Sequence, residues 1–205
     1  MRNPKPQEWL ASEWSQGKIA DYKPYNFVDG EGVRCSLYVS GCLFACEGCY
    51  NKIAQNFNYG TCYTPELQAR ILEDIAAPYC QGLTLLGGEP FLNTQVLLPL
   101  CHAVRERFGN TKDIWSWTGY TWEEMLVESS DKLELLSLID VLVDGRFELA
   151  KKDLSLQFRG SWNQRIIDVP KSLEQEKVVL WQPKNAYQPE PTGDSHLPKF
   201  NIHQK

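Results

Sequence analysis

Histidine is scarce in this chain: His102, His196 and His203 are the only three in 205 residues. No Ser-His-Asp or Cys-His set can be picked out around them, which removes the commonest nucleophilic catalysts. Long apolar runs are missing too, since no stretch approaches the ~20 residues needed to span a bilayer. The opening Met1-Arg2-Asn3-Pro4-Lys5-Pro6 is basic, but Gln7-Glu8-Trp9 follows it where a signal peptide would place an apolar core. Basic residues are not in excess: Lys+Arg number 21 against Asp+Glu 26, a net charge of −5. That balance leaves no electrostatic footprint for nucleic acid or for an acidic membrane surface. Internal repeats and a low-complexity core are also absent. What remains is an ordinary globular composition, 42% apolar and 23% charged. At ~150 residues per domain, the length fits a single domain. The expectation is a soluble, cytoplasmic protein with no nucleic-acid or membrane partner.

Cysteine is the residue present in unusual number. Seven is odd for a disulfide framework, and a chain of this size has no need of one. Cys35, Cys62, Cys80 and Cys101 are scattered and read as small buried apolar groups. The other three fall in Cys42-Leu43-Phe44-Ala45-Cys46-Glu47-Gly48-Cys49, a C-x3-C-x2-C spacing. Three readings compete there. The spacing i, i+4, i+7 is one face of a helix, although Gly41 and Gly48 bracket the run and weaken a helix. Structural zinc needs four protein ligands; the histidines lie far downstream, so Cys62 is the best fourth candidate. A [4Fe–4S] cluster with one iron left open needs only the three thiolates.

Around that loop the periodicities alternate. Val33, Cys35, Leu37 and Val39 interleave with Arg34, Ser36, Tyr38 and Ser40, the period of a strand. Thr64-Pro65-Glu66 starts a helix whose stripe is Leu67, Ile71, Leu72 and Ile75. Leu83–Leu86 is a short buried strand ending in Gly87-Gly88, and Asn93 or Thr94 caps a helix running to Phe108. Asp113–Trp117 is a strand closed by Thr118-Gly119; Trp115 and Trp117 share one face of it, one of them in the core. A helical stretch from Trp122 to Leu138 breaks near Ser129-Ser130, and Ile139–Val143 is a strand stopping at Asp144-Gly145. Leu156–Phe158 and Arg165–Asp168 can add further strands. Such alternation means βαβ units and a parallel sheet with flanking helices. The fold class is therefore α/β, and the chain is too short for a full eight-unit barrel of about 250 residues, so an open, partial βα barrel is expected. Residues 1–24 read as an amino-terminal lead, 25–184 as the main domain, and 185–205, with prolines among polar residues, as a loose tail.

Leu85-Leu86-Gly87-Gly88-Glu89-Pro90 lies at the carboxyl end of a strand, where ligands sit in parallel α/β sheets. Missing side chains at Gly87 and Gly88 would let a ligand touch the backbone; a plain tight turn is the competing reading. The Asp144-Gly145 turn stands at the next such strand end but one.

The cysteine loop and the Gly-Gly-Glu-Pro turn together resemble the radical S-adenosylmethionine (SAM) superfamily. Asp29–Cys35, Val39–Cys42, Cys46–Asn51, Gly87–Pro90, Asp113–Tyr120, Val143–Phe147 and Arg159–Gln164 narrow the resemblance to the activases of anaerobic ribonucleoside-triphosphate reductase, over roughly 140 residues. The resemblance implies the open βα barrel of the radical SAM type. It implies a [4Fe–4S] cluster on Cys42, Cys46 and Cys49, with the fourth iron chelated by SAM. Gly87, Gly88 and Glu89 would hold the methionyl ammonium, through backbone oxygens or the Glu89 carboxylate. Gly48, Cys49 and Tyr50 would line the adenine. An aromatic residue usually precedes the third cysteine; Gly48 stands there, and Tyr50 is expected to stack instead. Reductive cleavage of SAM would yield a 5′-deoxyadenosyl radical that takes hydrogen from a glycine of the partner reductase, with electrons from a low-potential donor such as flavodoxin. No general acid or base is implied. Arg159 and Asn163 could grip the partner, and Asp144 could contact a ligand or partner. Two rivals stay open: a radical SAM enzyme acting on a small molecule such as a deazapurine precursor, and a non-catalytic zinc or iron–sulfur module that uses Cys62.

Overall fold

The computed structural model describes residues 2–183. A single turn of helix, α1 (Ala11–Trp14), leads into strand β1 (Lys18–Asn26) and then β2 (Val33–Val39). After the cysteine loop come a two-residue strand β3 (Thr61–Cys62), helix α2 (Pro65–Ala76), β4 (Cys80–Gly87) and α3 (Thr94–Phe108). Strand β5 (Asp113–Trp117), helices α4 (Trp122–Met125) and α5 (Ser130–Ser137), β6 (Val141–Asp144), β7 (Arg165–Asp168) and α6 (Val169–Glu174) complete the order.

The strands make one open, seven-stranded sheet in the order β3-β1-β2-β4-β5-β6-β7. Its centre, β2-β4-β5-β6, is parallel. The edges are not: β1 runs antiparallel to both β2 and β3, and β7 antiparallel to β6. The expectation of a parallel sheet thus holds for the four central strands and is corrected at both margins. A chain segment that returns directly along its neighbour needs no crossover helix, so the margins are antiparallel.

Helix starts follow the local chemistry. Thr64 caps α2 by accepting the Leu67 amide at 3.3 Å, with Pro65 in the first turn, and Ile71 and Ile75 are fully buried beneath it. Thr121 and Glu124 form a capping box on α4, and the break at Ser129 separates it from α5. Two expectations need correction. Lys18–Asn26, most of which falls within the expected lead, is instead the second strand from the edge. Only Ile19 and Asn26 are fully buried along it; burial alternates, but the half-buried positions Ala20, Tyr22 and Pro24 are too mixed in character to show as an apolar period. Leu156–Phe158 is no strand; Phe158 has φ 58, and its ring packs against Trp115 and Trp181. The expected tail, 185–205, lies outside the described residues. No helix among the described residues is long and apolar enough to cross a membrane.

Register separates the two faces of the sheet. Leu37, Leu85, Ser116 and Leu142 lie side by side, as do Cys35, Leu83 and Ile114, and these rows face the core under α2, α3 and α5. The opposite face carries Ser36, Thr84, Trp115 and Val141 in one row, with a second, smaller cluster of Trp115, Val141, Val143, Phe158 and Trp181. Arg34 is buried on that face. Its Nε donates to Thr84 Oγ1 at 2.7 Å, one terminal nitrogen to the Leu83 carbonyl at 2.8 Å, and the other meets Asp113 at 2.6 Å. The guanidinium also lies 5.3 Å from the Trp115 ring centre. Replacing Arg34 by Met strands Asp113 and Thr84 without their buried donor, and the expected loss is about 3–5 kcal/mol of unfolding free energy in urea titration. A loss below about 1 kcal/mol would mean that this network is not what joins β2, β4 and β5 on this face.

Candidate functional site

The carboxyl ends of β2, β4, β5 and β6 open onto four loops: 40–51, 87–90, 118–120 and 144–147. The first holds the cysteines. It is irregular, with Ala45 at φ 52 and Gly48 at φ 72, so the three thiols do not lie on a helix face. Its ends are pinned by neighbouring backbone: Gly41 N–H donates to the Ala54 carbonyl at 2.7 Å and Cys42 N–H to that of Gln55 at 3.1 Å. Cys42, Cys46 and Cys49 are free and half-buried. Burial pushes the Cys42 thiol up, reinforced by the nearby Glu89 carboxylate, and burial pushes Cys46 up likewise. Ligation to a metal would displace these protons.

The Gly-Gly-Glu turn is stitched to the same loop. Gly88 N–H donates to the Val39 carbonyl at 2.7 Å and Glu89 N–H to that of Gly41 at 2.8 Å. The approach is close enough that a Cβ on Gly88 would sit 2.8 Å from the Ala54 carbonyl oxygen and 2.9 Å from the Gly41 carbonyl carbon, which accounts for glycine there. Gly87 and Gly88 keep part of their backbone exposed. The Glu89 carboxylate points the other way. It is 1% exposed; Oε1 accepts from Thr118 Oγ1 at 2.8 Å and the Phe91 amide at 3.1 Å, and Oε2 from the Gly119 amide at 2.8 Å. The Glu89 carboxylate is thus engaged by protein donors, while Gly87 and Gly88 are half-buried. Burial raises the Glu89 pKa from 4.5 to about 7, although these three donors and the more distant Lys132 ammonium oppose the shift.

Tyr50 projects at the rim, 69% exposed, 6.3 Å from the Phe147 ring centre and 5.1 Å from the Lys152 ammonium. Gly48 faces Leu149, whose Cδ1 would lie 2.9 Å from an added Cβ. Loop 40–51 and the segment after β6 thus share one mouth. Asp144 is committed to structure: its carboxylate accepts from the Trp122 amide at 2.8 Å and pairs with the Arg165 guanidinium. Arg159 donates to the Gln164 carbonyl and Asn163 to that of Arg146, so both are tied within their own segment. Trp115 is the buried member of the tryptophan pair.

Cys35, Cys80 and Cys101 are buried as expected, but Cys62 is exposed on β3, two strands away from the strand that carries the cysteine loop. Among the described residues no three His, Cys, Asp or Glu side chains converge tightly enough to hold a single metal ion. Three soft thiols spread along one loop, with no fourth protein ligand assembled, fit the corners of a polynuclear iron–sulfur cluster better than one zinc ion. Sequence reasoning missed Phe44, Thr118 and Lys132. Phe44 had a signal, an aromatic residue between two cysteines; the burial of Lys132 had none beyond its Glu128 spacing of i, i+4.

Residues 28–167 match the family model described as "4Fe-4S single cluster domain". A protein of Pasteurella multocida is 46% identical over 149 residues, 71% of this chain and 93% of its own. One from Escherichia coli K12 is 40% identical over 147 residues, 70% of this chain and 93% of its own, and one from Enterobacteria phage T4 41% identical over 147 residues, 70% and 88%. All three are named anaerobic ribonucleoside-triphosphate reductase-activating protein.

Because Glu89 titrates near about 7 when folded and near 4.5 when unfolded, the native chain binds more protons between those values. Its contribution to stability therefore falls as pH rises through that window. The Glu89→Gln chain is expected to lose this component, which urea unfolding at about pH 5 and about pH 8 measures. An equally steep fall in both chains would show that Glu89 is ionised throughout.

Proposed function

The chain belongs to the anaerobic ribonucleoside-triphosphate reductase-activating proteins, and from that premise we propose that it is a radical SAM activase that generates a glycyl radical on such a reductase. The observation that supports the reading is the hydrogen-bonded seam between Gly88-Glu89 and Val39-Gly41, which joins the half-buried glycine turn to the start of the cysteine loop. Cys42, Cys46 and Cys49 would hold a [4Fe–4S] cluster, leaving one iron open. The cluster would supply, when bound, a low-potential electron for reductive cleavage of SAM, taken from a one-electron donor such as flavodoxin.

The chain's own residues then bind, orient and exclude water. The backbone oxygens of Gly87 and Gly88 would accept from the methionyl ammonium, while Glu89 keeps their turn in place through Thr118 and Gly119. Gly48, Cys49 and the Tyr50 ring would line the adenine at the shared mouth. No proton need be moved by a side chain, which agrees with a site built from thiols, glycines and a carboxylate already engaged by its own neighbours. The exposed Tyr50 at the rim, beside Phe147, suits a macromolecular substrate, which must bring a glycine of its own chain to the site. Free thiols of this kind would be kept reduced in the cytoplasm, the compartment we assign.

The test is anaerobic reconstitution with iron and sulfide, then addition of SAM, a strong reductant and the matching reductase. A glycyl doublet in the electron paramagnetic resonance spectrum that needs every component is the expected result, lost in each of Cys42→Ala, Cys46→Ala and Cys49→Ala. 5′-Deoxyadenosine without the doublet would move the reading to a small-molecule substrate. About one zinc per chain in place of about four irons would overturn it altogether. Cys62→Ala separates the last case independently: iron content is expected to be unchanged, whereas a four-cysteine zinc module would lose its metal.

A further inference from the structure

We propose that the amino-terminal segment 2–14 is a clasp that holds the cysteine loop in its ligating shape, with Trp9 as the positioning residue acting through Phe44. The inference rests on the cysteine loop being the cluster loop, and it concerns residues that precede the stretch matched to the family model, 28–167.

The loop has little structure of its own. Within it the backbone makes one hydrogen bond, from Cys49 N–H to the Cys46 carbonyl at 3.3 Å, and Ala45 is held at φ 52. Phe44, between the first two cysteines, supplies the anchor, 1% exposed. Its ring meets Trp9 edge-on at 5.1 Å and Tyr120 edge-on at 4.9 Å, and the Arg146 guanidinium lies 4.7 Å from its centre. Its carbonyl accepts the Arg2 amide at 3.0 Å, while Arg146 Nε holds the Arg2 carbonyl at 3.2 Å and pairs with Glu124. The segment therefore grips Phe44 by ring and by backbone at once.

A buried ion pair forms the socket for the clasp. Lys132 is fully buried, and its ammonium donates to the Trp9 carbonyl at 2.6 Å, Tyr120 Oη at 3.0 Å and Glu128 Oε2 at 2.8 Å, which uses all three of its protons. The other Glu128 oxygen accepts the Gln7 amide at 3.3 Å. Two bonds of this pair thus go to the backbone of the segment itself. A buried pair is costly unless its hydrogen bonds are complete, so Lys132 and Glu128 make sense only with the segment seated. Farther along, Ser15 Oγ bonds Asn93 Oδ1 at 3.0 Å, and Asn93 in turn donates to the Glu89 carbonyl. The segment after α1 therefore also reaches the Gly-Gly-Glu turn.

The experiment compares the full chain with Trp9→Ala and Trp9→Phe by amide hydrogen exchange on the metal-free protein, which reads the clasp whether or not a cluster binds. Removing the Trp9 ring is expected to speed exchange of the hydrogen-bonded amides within 41–50, those of Gly41, Cys42 and Cys49, by about tenfold, with β4, β5 and β6 unchanged and the Phe variant restoring most of the protection. In the reconstituted protein, iron loss to a chelator is expected to accelerate by a similar factor. Unchanged exchange in 41–50, or an acceleration spread evenly over the sheet as global destabilisation would give, overturns the proposal. A chain that takes up no iron in any form would sink the iron–sulfur reading instead, while the exchange data still decide whether the clasp exists.

Discussion

Glu89 sits at 1% exposure with its oxygens shared among the Thr118 hydroxyl and the Phe91 and Gly119 amides, while its own amide holds the Gly41 carbonyl. One residue therefore joins the loop after β2, the turn after β4 and the loop after β5. Loops at the end of a parallel sheet have no ladder to fix them, and each must find partners for its backbone groups elsewhere. Here they find one another. The shape of the mouth depends on that buried acceptor, and so does the exposure of the Gly87-Gly88 backbone, because the carboxylate is turned away from it.

The sheet beneath is asymmetric for a related reason. Its helix-covered face is filled by Leu, Ile, Val and Cys side chains, as a buried parallel sheet requires. The other face instead buries Arg34 against Thr84, Asp113 and the Trp115 ring. The rest of that face is covered by the small cluster of Trp115, Val141, Val143, Phe158 and Trp181.

The proposed iron–sulfur ligation would ask for three thiolates in fixed relative positions from a segment with one internal backbone hydrogen bond and an alanine held at positive φ. Such a segment has to be fixed by contacts outside the loop. Phe44 is where they gather: Trp9, Tyr120 and Arg146 come from the amino terminus, from the loop after β5 and from the segment after β6. The Lys132–Glu128 pair ties Trp9 to Tyr120, and Arg146 is held separately by Glu124 and the Arg2 carbonyl.

The four parallel strands and the helices between them are legible along the chain, because apolar period, caps and glycine stops are local signals at Thr64-Pro65, Ser129 and Gly87-Gly88. The cysteine spacing and the Gly-Gly-Glu-Pro turn are equally legible, since both are contiguous motifs. Features that depend on residues far apart in the chain come from the folded arrangement alone. Strand β1 was illegible because its more buried positions, Ala20, Tyr22, Pro24 and Asn26, share no apolar character. The inward turn of Glu89 depended on donors about thirty residues downstream, and the burial of Lys132 on a carbonyl 123 residues away. The isolation of Cys62 from the other thiols depended on strand order. Local periodicity records which face of an element is apolar, but it does not record which polar groups will meet across the fold, and this site is built from those meetings.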